Sequence, residues 1–370
     1  MYARNVGQLY ERREIITRTL SSLIQAIERN DSETVWDILS TIKGEQSSIL
    51  LAYGTAIQNG NLDIVRYFIE LGHVRVDDTN LMFGETVLMQ SVRYGHLSVV
   101  KYLLQNEADV NLKSSQNGVT ALHVCVSGPE SPPNNIEILD CLLKNNKIDL
   151  EVRDNDGNTP LMKASGQIKY EEMKRLLQAG CDMYNMNQRR GHIAPHYCIL
   201  THYHPNYLLE VGRCFRLFLE CRVNPDFRDQ RGFPSIGYVI DTGNYDILHQ
   251  LLYVNCDINI LYRDLPDQMI QFPPLIHAYQ KMQTFIQILV ASGCEIYKWH
   301  EILKHDLPGT DKDLNCTRKY LKPRKLKELC RISIRQKLGY YPHTIIDQIG
   351  LPKVLCDYIL LKDVFNVELS

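Results

Sequence analysis

The sequence predicts an all-α protein, a solenoid of helix-turn-helix units joined by finger loops and followed by a small helical module. Two observations predict the solenoid. A block recurs at a spacing of roughly 30–35 residues: AIERNDSETVW at residues 26–36, AIQNGNLDIVR at 56–66 and SVRYGHLSVVK at 91–101. Apolar pairs then close a second helix shortly before a turn, at Leu103-Leu104, Leu176-Leu177, Leu251-Leu252 and Ile288-Leu289. A third observation predicts the terminal module. Leu326, Cys330 and Ile334 stand four residues apart, which makes one stripe on a helix. A second short apolar helix follows, opened by Leu351-Pro352, with Pro suited to a first helical turn. Two such helices cannot build a useful core alone, so they dock on this chain or on something else.

Composition bounds the function. The chain has 370 residues, 44% hydrophobic and 23% charged, the balance of a soluble globular protein. A formal net charge of −2 argues against a dedicated nucleic-acid binder, whose affinity needs a basic face. The eleven cysteines are scattered without a CxxC, which suits a reduced compartment and small buried hydrophobes. Arg4, Glu11, Arg12, Arg13, Glu14 and Arg18 interrupt the first twenty residues, so no signal peptide is read there. No apolar run is long enough for a membrane span. The expected location is cytoplasmic, with the nucleus also open.

In chain order, residues 1–18 read as an amphipathic lead-in helix. About eight units follow over residues 19–297, starting near 19, 48, 84, 118, 157, 191, 232 and 272. The first and last are degenerate, as caps with one face in solvent should be. Asp154-x-x-Gly157-x-Thr159-Pro160-Leu161 is the clearest copy of the unit's opening, and Gly118-x-Thr120-Ala121-Leu122-His123 is another. Gly lets the finger turn take positive φ, Thr caps the first helix, and Pro fits its first turn. The closing pieces include Ala108-Asp109-Val110-Asn111 and Cys256-Asp257-Ile258-Asn259. These pieces resemble ankyrin repeats. The resemblance implies a curved stack whose concave face is lined by finger loops and first helices.

Three insertions stand out: residues 127–135 with three prolines, residues 197–212 with Tyr197, His202, Tyr203, His204 and Tyr207, and residues 260–271. Insertions in a solenoid fall on loops, often on the binding side. Residues 298–320 read as a connector.

Residues 321–365 resemble the SOCS box. Leu326, Leu329, Cys330 and Ile334 match its first half, which in that family binds elongin C, itself paired with elongin B. Ile349, Leu351, Pro352, Leu355, Tyr358 and Ile359 match its second half, which selects a cullin scaffold of the fifth type with its RING partner. The family's fuller second half reads Leu-Pro-Φ-Pro, and here Ile349-Gly350-Leu351-Pro352 lacks the first Pro. That departure bears on the cullin contact and not on the elongin contact.

An ankyrin stack followed by a SOCS box is the arrangement of the ankyrin-repeat and SOCS-box family. What the resemblance implies is a non-catalytic subunit of an E3 ubiquitin ligase. Its stack would hold a protein substrate, and its box would recruit the ligase core. The substrate is expected against the finger tips and insertions of the middle repeats, at Arg189, Arg190, Tyr203, Arg228 and Arg231. The alternative is a plain ankyrin scaffold whose last helices fold back as a cap.

Other chemistries weigh less. His192, His196, Cys198, His202 and His204 could suggest zinc, but their spacing fits no zinc module, and His196 falls where the repeat carries its own structural His. No Cys has a His and an acid at a recognisable spacing. The basic run from Arg318 to Lys327 suits a solvated face beside a docking helix. The aromatics around 197–207 suit either a partner surface or filler. Neither GxxxxGK[ST] nor GxGxxG occurs. No cofactor, catalytic residue or metal ligand is assigned.

Overall fold

The computed structural model describes residues 18–41, 46–79, 84–128, 134–201 and 208–257, with positions 331, 334, 335, 338, 346, 353 and 360. The lead-in before residue 18, the eighth unit near 272, the connector at 298–320 and most of the box lie outside the described residues. The described residues contain helices and no strand, with isolated bridges only at Thr79–Thr86 and Arg228–Pro234. The chain is an ankyrin-type helical solenoid. It divides into two compact units, Met1–Asp182 and Met183–Ser370.

The first unit holds α1 (residues 18–28), α2 (Ser32–Thr41), α3 (Gln46–Asn59), α4 (Leu62–Glu70), α5 (Val87–Arg93), α6 (Leu97–Gln105), α7 (Ala121–Ser127), α8 (Asn135–Leu143), α9 (Pro160–Gly166) and α10 (Tyr170–Gln178). Consecutive helices pair as hairpins, α3 with α4 through α9 with α10. First helices α3, α5, α7 and α9 pack in one layer, and second helices α2, α4, α6, α8 and α10 in another. Leu88, Val92, Leu122, Val126, Leu161 and Ala164 of the first helices are buried, as are Val100, Leu103, Leu139, Leu142 and Leu176 of the second.

The sequence explains where the first helices begin. Thr86, Thr120 and Thr159 are extended, and each hydroxyl accepts an amide three residues on, from Met89, His123 and Met162. Each such cap contributes about 1 kcal/mol. Neighbouring units are stitched by side chains that reach a backbone carbonyl one unit back. Asn61 Nδ2 donates to Ile27 O at 3.0 Å, and Gln167 Nε2 donates to Ser127 O at 3.0 Å. His96 Nε2 meets Gln58 O at 2.9 Å. The prolines of the first insertion fall between α7, which ends at Ser127, and α8, which begins at Asn135.

The second unit holds α11 (Ala194–Leu200), α12 (Leu208–Glu220), α13 (Ser235–Thr242) and α14 (Tyr245–Tyr253). Helices α11 and α13 pack side by side, as do α12 and α14. Threonine is absent from the caps here. Ile193 precedes α11 and Pro234 precedes α13, and neither supplies a side-chain cap. His196 compensates in part, because its Nδ1 accepts the Ile193 amide at 3.2 Å.

Candidate functional site

Two surfaces of the second unit carry the described candidate residues: the mount of the terminal segment and the tips of two fingers.

Some of the described terminal positions touch α14 and its end. Arg335 is 3% exposed and donates from its guanidinium to Leu252 O, in the last turn of α14. Asn255 Nδ2 donates back to Arg335 O at 2.8 Å. A cation at a helix C-terminus is favoured by the partial negative charge of the terminal carbonyls. Burial pulls the Arg335 guanidinium down to about 10, and the group stays charged at neutral pH. Arg331 is buried as well. Ile346 and Leu360 form a small apolar cluster with Leu338 and Tyr253 of α14.

Positions 331, 335 and 338 share one helical face, which Arg335 ties to the end of α14. Ile334, the described member of the expected elongin stripe, is 38% exposed. At 100° per residue, Ile334 lies roughly 70° from the centre of 331, 335 and 338. Leu326, Leu329, Cys330 and all six expected cullin contacts, Ile349, Leu351, Pro352, Leu355, Tyr358 and Ile359, lie outside the described residues. The Arg335 mount escaped sequence reasoning. Its signal was a second stripe, 331, 335 and 338 at i, i+4 and i+7, and arginine on such a stripe reads as solvent-facing.

The fingers ahead of α11 and α13 are joined by one backbone bond, Gln230 N to Gly191 O at 2.8 Å. Each is built on a buried polar residue. Asn187 Oδ1 accepts the amides of Arg189 and Arg190 at 2.9 and 3.1 Å. Asp229 Oδ1 accepts those of Arg231 and Phe233 at 2.9 and 2.7 Å. Arg189, Arg190 and Arg231 are exposed at the tips. Arg228 braces its own finger, donating to Gly232 O at 3.0 Å. Tyr203 lies outside the described residues.

Gly191 is required at this junction. Its φ is +72°, and a Cβ there would meet Gln230 Cβ at 2.6 Å. Gly191→Ala should cost about 1–3 kcal/mol from the backbone strain alone, read as a lower midpoint in urea. An unchanged midpoint would mean that the fingers are not locked together.

Under the fingers, His192 Nε2 meets Tyr238 OH at 3.0 Å, and Tyr238 OH donates to Asp229 Oδ2 at 2.8 Å. His192 and His196 stack with centroids 5.3 Å apart. The rings of Phe227 and Tyr238 stand edge-on to His196, at 4.8 and 5.2 Å. Burial, then the neighbouring His192, drives His196 down to about 3. Among the described residues no group of three or more His, Cys, Asp or Glu side chains could hold a metal ion. His202 and His204 lie outside that set. Burial lifts the thiol of Cys181 to about 12 and raises those of Cys125 and Cys256, which keeps all three protonated.

His123 carries the repeat's structural role in the first unit. Its Nδ1 faces the Thr120 amide at 3.3 Å and its Nε2 faces Asn158 O at 3.0 Å, which assigns the neutral Nε2–H tautomer. Burial holds its folded pKa near 4, below the ordinary 6.5. Its folded form thus binds fewer protons than the unfolded chain between those values, and stability is lost as pH falls through that window. Asp241, raised to about 6 by burial, acts with the opposite sign. The clean observable is therefore a difference. The stability advantage of the native chain over His123→Gln should shrink below pH about 6.5, by up to about 1.4 kcal/mol per unit. A pH-independent difference would refute the buried neutral imidazole.

Packed helix pairs, with terminal positions anchored on the end of α14, are the architecture of an interaction scaffold. Comparison with known proteins supplies the family. Ankyrin repeats match in three copies, over residues 23–114, 53–154 and 113–187, and a SOCS box matches residues 322–360. The chain belongs to the ankyrin-repeat and SOCS-box family. Among curated proteins it is similar to neurogenic locus notch homolog protein 1 of Danio rerio, 32% identical over 115 residues, covering 30% of this chain and 4% of that protein. It is also similar to a putative ankyrin repeat protein of Rickettsia felis, 30% identical over 125 residues, covering 34% of this chain and 39% of that protein. The human notch homolog protein 1 is 29% identical over 140 residues, 35% of this chain and 5% of that protein. The chain thus spans well under half the length of these relatives. Among the described residues no helix is long and apolar enough to cross a membrane.

Proposed function

We propose that this chain is the substrate-recognition adaptor of an elongin B/C–cullin–RING E3 ubiquitin ligase. The SOCS box is the class of module that binds elongin B/C and a cullin, and neither it nor the ankyrin repeats are catalytic. Leu326, Leu329, Cys330 and Ile334 would enter elongin C. Ile349, Leu351, Pro352, Leu355, Tyr358 and Ile359 would face a cullin of the fifth type. The repeats would hold the target protein on finger tips that include Arg189, Arg190 and Arg231. Holding target and ligase on one body makes ubiquitin transfer effectively intramolecular.

The observation that carries the reading is the presence of both modules in one chain, with the box mounted by one helical face and Ile334 open on another. The mount itself favours a second reading. Arg335 on α14 is also what a terminal cap would show, in a scaffold that recruits nothing. The exposure of Ile334 favours the adaptor, because a helix that serves only as a cap has no need of a second apolar stripe. Pull-down of the tagged full chain from cells, blotted for elongin C, separates the two. The adaptor retains elongin C, and the cap does not.

A further inference from the structure

We infer that the joined fingers of the second unit form an anion-recognition surface, and that the segment they hold is an acidic stretch of a partner protein. The inference deepens the adaptor reading by giving the target's recognition chemistry.

Three observations support it. First, the charges are concentrated. Arg190 and Arg231 flank the bond that joins the fingers, Gln230 N to Gly191 O, and Arg189 adjoins Arg190. Both Arg190 and Arg231 lie close enough to oppose protonation of His192 below them. Second, they are uncompensated among the described residues, where Arg189, Arg190 and Arg231 make no ion pair. The adjacent carboxylate, Asp229, is buried and committed to the Arg231 and Phe233 amides and to Tyr238 OH. Third, the backbone beneath them is fixed by Asn187 and Asp229, so little backbone ordering remains when a partner binds.

Like charges held side by side repel, and a chain of net charge −2 has no general need of such a cluster. Planar guanidiniums pair with carboxylate or phosphate oxygens through two parallel N–H donors. Aspartate, glutamate and phosphoserine share that chemistry. A nucleic acid fits less well, because three charges over two finger tips neutralise few phosphates.

The test is a random-peptide display selection on the full chain beside Arg189→Glu/Arg190→Glu/Arg231→Glu. The native chain should enrich peptides rich in Asp and Glu, and the reversed chain should lose them. A labelled winner should bind the native chain at least about tenfold more tightly, and more weakly in high salt. Replacing its carboxylates with phosphoserine shows which anion fits better, and either preference agrees with the inference. Peptides without acidic bias, or equal selection by both chains, would overturn it. So would binding of labelled single-stranded RNA in place of peptide. Circular dichroism confirms that the reversed chain is folded. Elongin C capture by both chains keeps this outcome separate from the adaptor reading.

Discussion

Replacing Leu326 and Cys330 together with serine should abolish elongin C capture while leaving the repeats folded. A Leu side chain moved from water into an apolar pocket contributes about 1.5–3 kcal/mol. A serine there forfeits that contribution and leaves a hydroxyl to be desolvated without a partner. Adding the loss at Cys330, affinity should fall at least about a hundredfold. Pull-down from cells reads the loss directly, and the thermal midpoint of the repeats should hold, because the described contacts to the end of α14 come from Arg335 and from the cluster that includes Leu338. Retained capture would show that the expected stripe is not the elongin contact.

Arg335→Ala should do the reverse, freeing the box from the repeats while elongin C still binds. The substitution deletes a buried charged donor to Leu252 O and the aliphatic stem that packs with it. A hydrogen bond from a charged group is worth about 1.5–3 kcal/mol. The local opening of the α14 end should therefore become about 10–100 times more frequent. Cys256 reports it. That thiol is buried, and Arg335 is among the charges that act on it. Its alkylation rate, followed by peptide mass spectrometry, should rise by that factor in the variant, with Cys221, exposed in the native chain, as the internal reference. Equal rates would mean that Arg335 does not hold the box in place.

Much of the fold was legible because the repeat's signals are local. Thr86, Thr120 and Thr159 stand immediately before the helices they cap, and Gly118, Gly157, Gly191 and Gly232 all take positive φ in the fingers. Such a signal needs no knowledge of distant residues. The second unit was harder to read for the same reason, since Ile193 and Pro234 stand where threonine stands earlier and the motif fades.

The candidate site divides along the same line. The arginines at the finger tips could be placed from sequence, because a finger is a local turn. The bond between fingers, and the His192–Tyr238–Asp229 chain beneath them, join residues up to 46 positions apart and left no mark in the pattern. The Arg335 mount spans 83 positions. An arginine on an amphipathic helix reads as solvent-facing unless its carbonyl partner is known. Sequence reasoning therefore named a stripe expected to face other proteins and missed the arginine that faces this one.

The measurement that tests the adaptor claim most directly is mass photometry of purified full chain mixed with elongin B/C and a fifth-type cullin with its RING partner. The account predicts one species whose mass equals the sum of all components, and its loss with Leu326→Ser/Cys330→Ser. A species with elongins but no cullin would place the fault at Gly350, where the fuller box has proline. The chain running alone in the presence of every partner would contradict the account, leaving a scaffold whose last helices only cap its repeats.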